Sequence, residues 1–388
     1  MFSSRVPAAL DLNRLSAAVA SHRAEGRALL DLTVTNPTTV GIRFPDGLLA
    51  PLADAAAHLY QPEPFGLPEA RLSVAGDYAR RGISVAENRI VLTASTSEAY
   101  SLLFKLLCAP SGDEVLVPAP SYPLFEHLTQ LDGVRSRPYT LEYHGRWELD
   151  TQSVDAAWTA GTRAVLAVHP NNPTGSLLSD AELQALGSRC ARRDAALIVD
   201  EVFADYCLGS GCVGPRGAGT SYSLMFRLGG LSKSAGLPQV KLGWIAVDGP
   251  DELVRPALDR LELICDTYLS VSTPVQVAAP ALIAAGASVR AQIHERIRQN
   301  FAVLQCAAAA RPAVELLAAD AGWSAVLRVP SNRSEEELVL ALLAERGVLV
   351  HPGFFFDFPR EAFLVLSLLP APDVFTDGVS RVLDYAGG

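Results

Sequence analysis

The stretch LGGLSKSAGLPQVKLGW (residues 228–244) places one lysine, Lys233, between two apolar segments that are typical of strands. Residues 222–228 lead into it, residues 242–247 lead out of it, and the only other cation inside it is Lys241. A lysine is costly to bury unless its charge is lost or paired, and burial depresses its pKa. A neutral amine can form a Schiff base with a carbonyl. Taken alone, the stretch predicts either a reactive lysine or a loop lysine that points to water.

Length and composition describe a globular chain with an excess of acidic residues. It has 388 residues, of which 49% are hydrophobic and 19% charged, which is typical of a folded protein. This length predicts one large domain and a smaller one. The net charge of −10 argues against nucleic acid as a partner. An anionic ligand would need a local cationic site, to which Lys233 and Lys241 could contribute.

The sequence lacks the patterns of export, membrane insertion and metal binding. No apolar run approaches 18 residues, so we expect no membrane span. The charged N-terminal segment has no apolar signal core, which favours a cytoplasmic protein. The six cysteines are scattered, with Cys207 and Cys212 the closest pair and no CxxC. We therefore expect six reduced thiols and no metal site.

Between residues 89 and 203, short apolar segments alternate with helical ones. The predicted strands are residues 89–93, 114–118, 136–143, 163–170 and 195–203, and the predicted helices are residues 95–108, 122–133, 151–160 and 180–193. Apolar strands that alternate with helices predict an α/β fold with a mostly parallel, mixed sheet between two layers of helices.

The two ends of the chain predict a smaller α/β unit. Residues 8–25 and 275–310 have helical patterns, and residues 29–34 predict a short strand. The C-terminal part alternates again between strands and helices, and Ser334 with Glu337 forms a capping-box pattern. The chain is therefore divided into residues 1–45 (small domain), residues 46–273 (large domain) and residues 274–388 (small domain).

A polar turn follows the first strand of the large domain. The turn ASTSEAY (residues 94–100) opens a helix with Ser95, Thr96 and Ser97. Free backbone N–H groups and the helix dipole make such a turn an anion site, to which the hydroxyls would add donors. Ordinary N-capping by serine or threonine explains the same residues.

Three further strand ends carry an amide, two carboxylates and an aromatic ring. Asn172 lies in the turn HPNNPTG, which can also be an ordinary tight turn. Asp200 and Glu201 follow an apolar strand, and carboxylates there need partners. Tyr122 lies between two prolines, where it could stack on a flat ligand or pack in the core. Parallel sheets bind ligands at the carboxyl ends of their strands, where all these groups lie.

The motifs NNPTG (residues 171–175), DEVF (residues 200–203) and SKSAGLPQVKLGW (residues 232–244) resemble those of class I and II aminotransferases, which are pyridoxal phosphate enzymes of fold type I. The resemblance covers nearly the whole chain. It implies a large cofactor-binding domain and a small domain built from both termini. It also implies transamination between an amino donor and a 2-oxo acid through a Schiff base on Lys233, in a homodimer with shared active sites.

The resemblance implies a role for nine residues. The implied catalytic residues are Lys233, Asp200 and Tyr122. Lys233 would carry the Schiff base and the proton, Asp200 would pair with the pyridine nitrogen, and Tyr122 would stack on the ring. The implied cofactor-binding set adds Asn172 at the phenolic oxygen, Ser95, Thr96, Ser97 and Lys241 at the phosphate, and Tyr60 at the phosphate of the neighbouring subunit.

The chain departs from the family pattern at five positions. Phe203 stands where tyrosine is usual, Lys241 where arginine is usual, and Gly230 where serine is common. Val365 stands where the family has the arginine that binds the substrate α-carboxylate, and Thr35 stands where glycine is usual. The cofactor site is therefore kept, whereas the usual substrate clamp is lost.

These departures keep other hypotheses open. Val365 motivates a pyridoxal phosphate-dependent lyase, or a biosynthetic enzyme that acts on an amine without a free α-carboxylate. Arg360 is near in sequence, but the sequence does not show that it replaces the missing arginine. A non-catalytic binding protein is disfavoured by the presence of both Lys233 and Asp200. Aromatic residues such as the run FFFDF (residues 354–358) could line a substrate pocket, but we favour packing of the small domain.

Overall fold

The computed structural model describes residues 2–7, 10–110, 112–209 and 223–387. The helices are α1 (Arg14–Ala24), α2 (Pro68–Arg80), α3 (Thr96–Leu107), α4 (Leu124–Asp132), α5 (Thr151–Ala157), α6 (Asp180–Arg192), α7 (Leu231–Ser234), α8 (Asp251–Tyr268), α9 (Thr273–Ala309), α10 (Glu335–Ala341) and α11 (Pro372–Ala386). The strands are β1 (Leu30–Asp31), β2 (Ile90–Thr93), β3 (Glu114–Ala119), β4 (Arg135–Tyr143), β5 (Trp147–Leu149), β6 (Thr162–Val168), β7 (Ala196–Asp200), β8 (Met225–Gly230), β9 (Gly243–Asp248), β10 (Glu315–Leu316), β11 (Ser324–Arg328), β12 (Val348–Leu349), β13 (His351–Pro352) and β14 (Phe363–Ser367).

Within the described residues, eight strands form one large mixed sheet in the order β2-β9-β8-β7-β6-β3-β4-β5. Strands β8, β7, β6, β3 and β4 pair in parallel. Strand β9 is antiparallel to both β8 and β2, so β2 runs with the parallel set, and β5 pairs antiparallel with β4. The carboxyl ends of β2, β3, β6, β7 and β8 therefore meet at one edge, together with the amino end of β9. This arrangement confirms the predicted mostly parallel, mixed sheet.

Both faces of the large sheet are buried, and alternate residues of one strand pack on opposite layers. In β6, Ala164 and Leu166 belong to the core that includes Leu103 of α3, while Val165 belongs to the core that includes Leu186 of α6. Such a period-two alternation is the geometry of a strand covered on both sides. It explains why these strands read as continuous apolar runs.

A second, antiparallel sheet has the order β10-β11-β14-β13. The 37-residue helix α9 leads from the large sheet to this smaller unit. The N-terminal segment joins the C-terminal part, because β1 pairs in parallel with β12, with Leu30 opposite Val348. This pairing agrees with a small unit built from both termini. The division after residues 45 and 273 stays a prediction.

Side-chain capping explains where helices α1 and α10 begin, and the predicted start of the first helix was wrong. Helix α1 begins at Arg14 rather than near residue 8, because the Asn13 side chain accepts a hydrogen bond from the Ser16 N–H and starts the helix there. The predicted capping box at Ser334 and Glu337 is present. Helix α10 is followed directly by a π-helical turn, Leu342–Arg346.

The cysteine prediction is wrong at one position. Cys207 is disulfide-bonded, whereas Cys108, Cys190, Cys265 and Cys306 are free thiols. Cys212 lies outside the described residues. The expectation of six reduced thiols rested only on the absence of a CxxC spacing, which does not report which loops approach each other.

No single described helix has both the length and the apolar composition of a membrane span, although α8 and α9, bent by 119° at their junction, pass that test together. Among the described residues, no group of three or more His, Cys, Asp or Glu side chains could hold a metal ion.

Candidate active site

The edge where the strand ends meet contains a cavity of about 430 Å³. Eight of the nine predicted site residues line it: Ser95, Thr96, Ser97, Tyr122, Asn172, Asp200, Lys233 and Lys241. They come from six strand ends, the carboxyl ends of β2, β3, β6, β7 and β8 and the amino end of β9, which the sheet topology brings together. The ninth, Tyr60, lies elsewhere: it is 67% exposed and lines a small surface groove with Tyr268.

Lys233 lies in the short helix α7, directly after β8. Its Nζ is 5.0 Å from the centre of the Trp323 ring and 5.6 Å from the centre of the Phe203 ring. Among the described residues, the Lys233 Nζ has no hydrogen-bond or ion-pair partner. Burial lowers the pKa of Lys233, and the negative charge of Asp200 opposes this shift. The cavity therefore holds an amine that is easier to deprotonate than an ordinary lysine.

Asp200 is the last residue of strand β7, and only 8% of its surface is exposed. Its Oδ2 accepts a hydrogen bond of 2.8 Å from the Tyr100 hydroxyl, and its Oδ1 accepts one of 3.0 Å from the Val202 N–H. Burial raises the pKa of Asp200 to about 6, against the opposing effect of these two donors. Tyr100 was not predicted as a site residue, although it lies in the quoted turn ASTSEAY, one helical turn after Thr96.

The neighbouring Glu201 is also buried but has a different environment. It forms an ion pair with Arg227, which is fully buried, and a second one of 3.2 Å with Arg81. Burial alone would raise the pKa of Glu201, but Arg227 and Arg81 outweigh it and lower the pKa. Glu201 does not line the cavity, so its charge is paired inside the protein rather than presented to a ligand.

The predicted anion turn lies between β2 and α3. The Ser95 hydroxyl oxygen accepts a hydrogen bond from the Glu98 N–H, so the capping interpretation is correct for Ser95. Thr96 and Ser97 follow in the first turn of the helix and line the cavity. Strand β9 passes close to this turn at Gly243. A Cβ added to Gly243 would lie 2.9 Å from the Ser95 carbonyl carbon and 3.1 Å from the Thr96 nitrogen.

Lys241 brings a positive charge to the same turn. It is exposed at the rim of the cavity, two residues before β9. Its φ of 61° lies in the left-handed region, which costs a residue with a side chain about 1–2 kcal/mol. A backbone held there against this cost is often part of a functional site.

The two asparagines of the NNPTG turn have separate positions. Asn171 is fully occupied inside the turn, since its side chain bonds to the Ser121 hydroxyl, the Pro120 carbonyl and the Thr174 hydroxyl. Asn172 lines the cavity, with its Oδ1 3.3 Å from the Ser324 hydroxyl. Of the two asparagines, Asn172, which the sequence predicts as the site residue, is the one that lines the cavity.

The Tyr122 side chain places an aromatic ring on one wall of the cavity. Tyr122 is 43% exposed, and its ring packs edge-on against Phe125 at 6.4 Å between the centres. One face of the ring is therefore free of core packing, as a stacking role requires.

The wall of the cavity opposite Tyr122 consists of residues outside the nine predicted site residues. Trp323, Phe355, Phe356 and Val365 line it, together with His351. The preferred interpretation of the FFFDF run as core packing is therefore only partly correct: Phe358 packs in the core, whereas Phe355 and Phe356 also face the cavity. Arg360 is exposed and does not line the cavity.

Comparison with known proteins identifies the family of this site. The family model for aminotransferase class I and II matches residues 49–372, which is most of the chain. The chain belongs to this family. Its members use pyridoxal phosphate, so the predicted cofactor and family are confirmed.

Named relatives and solved structures agree with this assignment. The chain is 28% identical over 258 residues to the glutamate-pyruvate aminotransferase AlaA of Haemophilus influenzae, a match that covers 65% of this chain and 63% of that protein. It is 30% identical over 224 residues to nicotianamine aminotransferase A of Hordeum vulgare, which covers 56% of this chain and 48% of the relative. The chain thus spans about half to two thirds of the length of these two relatives.

One match extends along nearly the whole chain. The glutamate-pyruvate aminotransferase AlaA of Escherichia coli is 24% identical over 380 residues, or 94% of this chain and 92% of that protein. A solved structure of an alanine aminotransferase from Pyrococcus furiosus superposes with a TM-score of 0.89 at 22% identity, and covers 100% of this chain and 99% of that one. This structural likeness establishes the shared fold.

The residues of the cavity fit pyridoxal phosphate. An amine with a lowered pKa, a buried carboxylate and a helix N-terminus beside a lysine match the aldehyde, the pyridine nitrogen and the phosphate of the cofactor. The volume of about 430 Å³ lies within the range of about 300–1,000 Å³ that is usual for small-molecule sites. Phe203 packs against Trp323 at 5.5 Å, so this position contributes an apolar ring and no hydroxyl.

Proposed function

We propose that this chain is a pyridoxal phosphate-dependent aminotransferase that moves an amino group between an amino donor and a 2-oxo acid. The observation that carries the proposal is the meeting of Lys233 and Asp200 in one cavity, each with a pKa shifted towards its neutral form by burial. Groups with perturbed pKa values in a cleft are the usual signature of acid–base chemistry.

Lys233 would act as nucleophile and as proton carrier. When bound, the cofactor supplies an aldehyde that condenses with amines and a ring that withdraws electrons. The lowered pKa of Lys233 increases its neutral fraction, so Nζ can attack a carbonyl, and can accept a proton from the carbon that bears the amino group. The rings of Trp323 and Phe203 exclude water on one side of this amine.

Asp200 would bind the ring nitrogen of the cofactor. Its two hydrogen bonds, from Tyr100 and Val202, fix the orientation of the carboxylate without neutralising it. A protonated ring nitrogen would be the cationic partner that the buried charge lacks, so cofactor and carboxylate would stabilise each other.

The other predicted residues would position the cofactor. Ser95, Thr96 and Ser97 at the start of α3, with Lys241, would hold its phosphate, because hydroxyl donors, free N–H groups and a cation favour a dianion. Asn172 would donate to its phenolic oxygen, and Tyr122 would stack on its ring.

We also propose that the protein forms a homodimer with shared sites. Tyr60 is exposed and lies outside the cavity of its own chain. Its predicted contact with a cofactor phosphate would therefore require a second copy. Cross-linking or mass measurement in solution tests the dimer, and a monomer that is active on its own would refute it.

The attachment site of the cofactor provides the test of function. The chain contains three lysines, Lys105, Lys233 and Lys241, so borohydride reduction of the protein with pyridoxal phosphate can label only these side chains or the N-terminus. We expect the mass increase on the peptide with Lys233. Lys233→Ala should abolish both the label and amino transfer from α-amino acids to 2-oxo acids. Lys105→Ala is the matched control, because Lys105 pairs with Asp132 on the surface.

Two results would contradict the proposal. One is labelling at Lys105 or Lys241 in place of Lys233. The other is amino transfer that persists in a folded Lys233→Ala protein.

A further inference from the structure

The proposed substrates raise a question of charge balance inside the cavity. An α-amino acid and a 2-oxo acid both carry a carboxylate next to the reacting carbon, so this inference rests on the proposed function. The cavity has two lysines among its described lining residues, Lys233 and Lys241, and no arginine. The proposed cofactor engages both lysines. The substrate carboxylate would then have no permanently charged partner from this chain.

His351 is the ionisable side chain on the wall where such a partner is missing. It begins β13, and its Cα is paired with that of Val365 across the antiparallel β13–β14 ladder. Residues directly opposite each other in such a ladder point to the same face of the sheet. Both side chains line the cavity, so an anion that rests against Val365 would come within reach of the imidazole.

The His351 side chain has an unused hydrogen-bonding atom within the part of the chain that the structure describes. Its Nδ1 is buried and has no partner among the described residues. The ring is held between Phe355 and Phe356, at 5.9 and 5.8 Å between ring centres. A buried polar atom without a partner costs free energy, and a site that is completed by its ligand is one reason for such an atom to persist.

The charges that surround His351 are already engaged elsewhere. Asp31, on β1, accepts hydrogen bonds from Thr33 and pairs with Arg23 at 3.3 Å. Glu335, on α10, accepts the N–H groups of Phe354 and Phe363. Burial lowers the pKa of His351, and the charge of Asp31 opposes this. The imidazole is therefore mostly neutral near pH 7 and would gain a proton only when an anion arrives.

We propose that His351 is the residue that binds the substrate carboxylate, on the wall formed by Val365, Phe355 and Phe356. A carboxylate there accepts a hydrogen bond from the imidazole and stabilises its protonated form. Binding is then coupled to the uptake of a proton, and affinity for carboxylates rises as the pH falls. Apolar or aromatic amino acids fit this wall best, because its other groups are hydrophobic.

The experiment measures binding rather than turnover. The holoenzyme is titrated calorimetrically with 3-phenylpropanoate and with its neutral analogue 3-phenylpropanamide, between about pH 6 and pH 8. Buffers of different ionisation enthalpy report the protons taken up. The variants are His351→Phe, which removes the imidazole, and His351→Gln, which keeps an N–H donor that cannot titrate. His144→Phe is the matched control, since His144 is an exposed histidine paired with Glu142.

We expect the unmodified holoenzyme to bind the carboxylate more tightly than the amide, with proton uptake that both His351 variants lose. Affinity for the carboxylate should fall roughly 10- to 100-fold in His351→Phe, the size of one hydrogen bond to an ion, and less in His351→Gln. The control should behave as the unmodified protein. Steady-state KM values for amino and oxo acids should follow the same order, with kcat less affected.

Two results would overturn the inference. One is a His351→Phe holoenzyme that keeps both its affinity for 3-phenylpropanoate and its proton uptake. The other is an unmodified holoenzyme that binds 3-phenylpropanamide more tightly than 3-phenylpropanoate. Both outcomes can be obtained whether or not the protein transaminates, so they are distinct from failure of the proposed function, which would appear as no amino transfer with any donor and acceptor.

Discussion

Replacing Asp200 by asparagine is expected to stabilise the cofactor-free protein at neutral pH. The carboxyl group has an ordinary pKa of 3.8, and burial raises it to about 6. Each pH unit between these values corresponds to about 1.4 kcal/mol, so ionised Asp200 costs the folded state about 3 kcal/mol. Asparagine removes this cost and keeps both contacts, because its oxygen can accept from Val202 and its amide can donate to the Tyr100 oxygen.

The pH dependence of this gain follows from the direction of the shift. The pKa in the folded state is higher than in the unfolded state, so the folded protein holds the proton more tightly. The penalty is complete above about pH 6, shrinks as the pH falls through 6 towards 3.8, and is absent below that range. The stability gain of Asp200→Asn should therefore be about 3 kcal/mol at pH 7.5 and about half of that at pH 5.

Glu201→Gln is the comparison, and it should have the opposite sign. Burial would raise the pKa of Glu201, but Arg227 and Arg81 outweigh it and lower the pKa. A lowered pKa means that the charge stabilises the fold above pH 4.5 and that this stability is lost as the pH falls through the pKa of the folded state. Glutamine would leave the fully buried Arg227 without its anion, which costs about 3–5 kcal/mol.

Urea denaturation of the cofactor-free proteins, followed by circular dichroism at pH 7.5 and pH 5, measures both effects. This assignment of charge states is wrong if Asp200→Asn is no more stable than the unmodified protein at pH 7.5, or if its gain does not decrease at pH 5. It is also refuted if the two substitutions change stability in the same direction.

Three further predictions follow from the same structure. Gly175→Ala should lower the free energy of unfolding by more than about 2 kcal/mol in urea denaturation, because φ is +68° and a Cβ would lie 2.5 Å from the Ala321 carbonyl oxygen. Ser179→Ala should cost about 1 kcal/mol in the same assay, because it removes the capping box with Glu182. Pyridoxal phosphate should raise the Tm of the unmodified protein more than that of Asp200→Asn, since only the carboxylate gains a cationic partner; equal shifts in a thermal melt would contradict this.

Much of the fold could be predicted from the sequence because the strands of the large sheet are covered on both faces. Runs such as residues 196–199 are apolar throughout, and the polar residues at their ends mark the edge where a parallel sheet binds ligands. Short edge elements were missed. Strand β5 has three residues and β10 has two, which is too short for any periodicity to be read.

The candidate site was predictable to the extent that its residues follow strands. Lys233, Asp200 and Asn172 lie at or shortly after the carboxyl ends of buried strands, so topology alone brings them to one cavity. His351 and Trp323 do not follow a strand of the large sheet, so their position in the sequence does not assign them to the cavity. They belong to the small sheet, and only its packing over the edge of the large sheet places them on the wall opposite Tyr122.

The amino-acid sequence by itself determined the class of fold, the family and the lysine on which the chemistry depends. These features follow from local hydrophobic patterns, short motifs and the order of strands, all of which can be read from consecutive residues. The sequence did not determine which of the adjacent carboxylates Asp200 and Glu201 is paired. Tertiary structure alone decided this, by placing Arg227 and Arg81 beside Glu201 and leaving Asp200 facing the cavity. The physical reason is that charge–charge energies depend on distance and burial, and both are set by residues far apart in sequence.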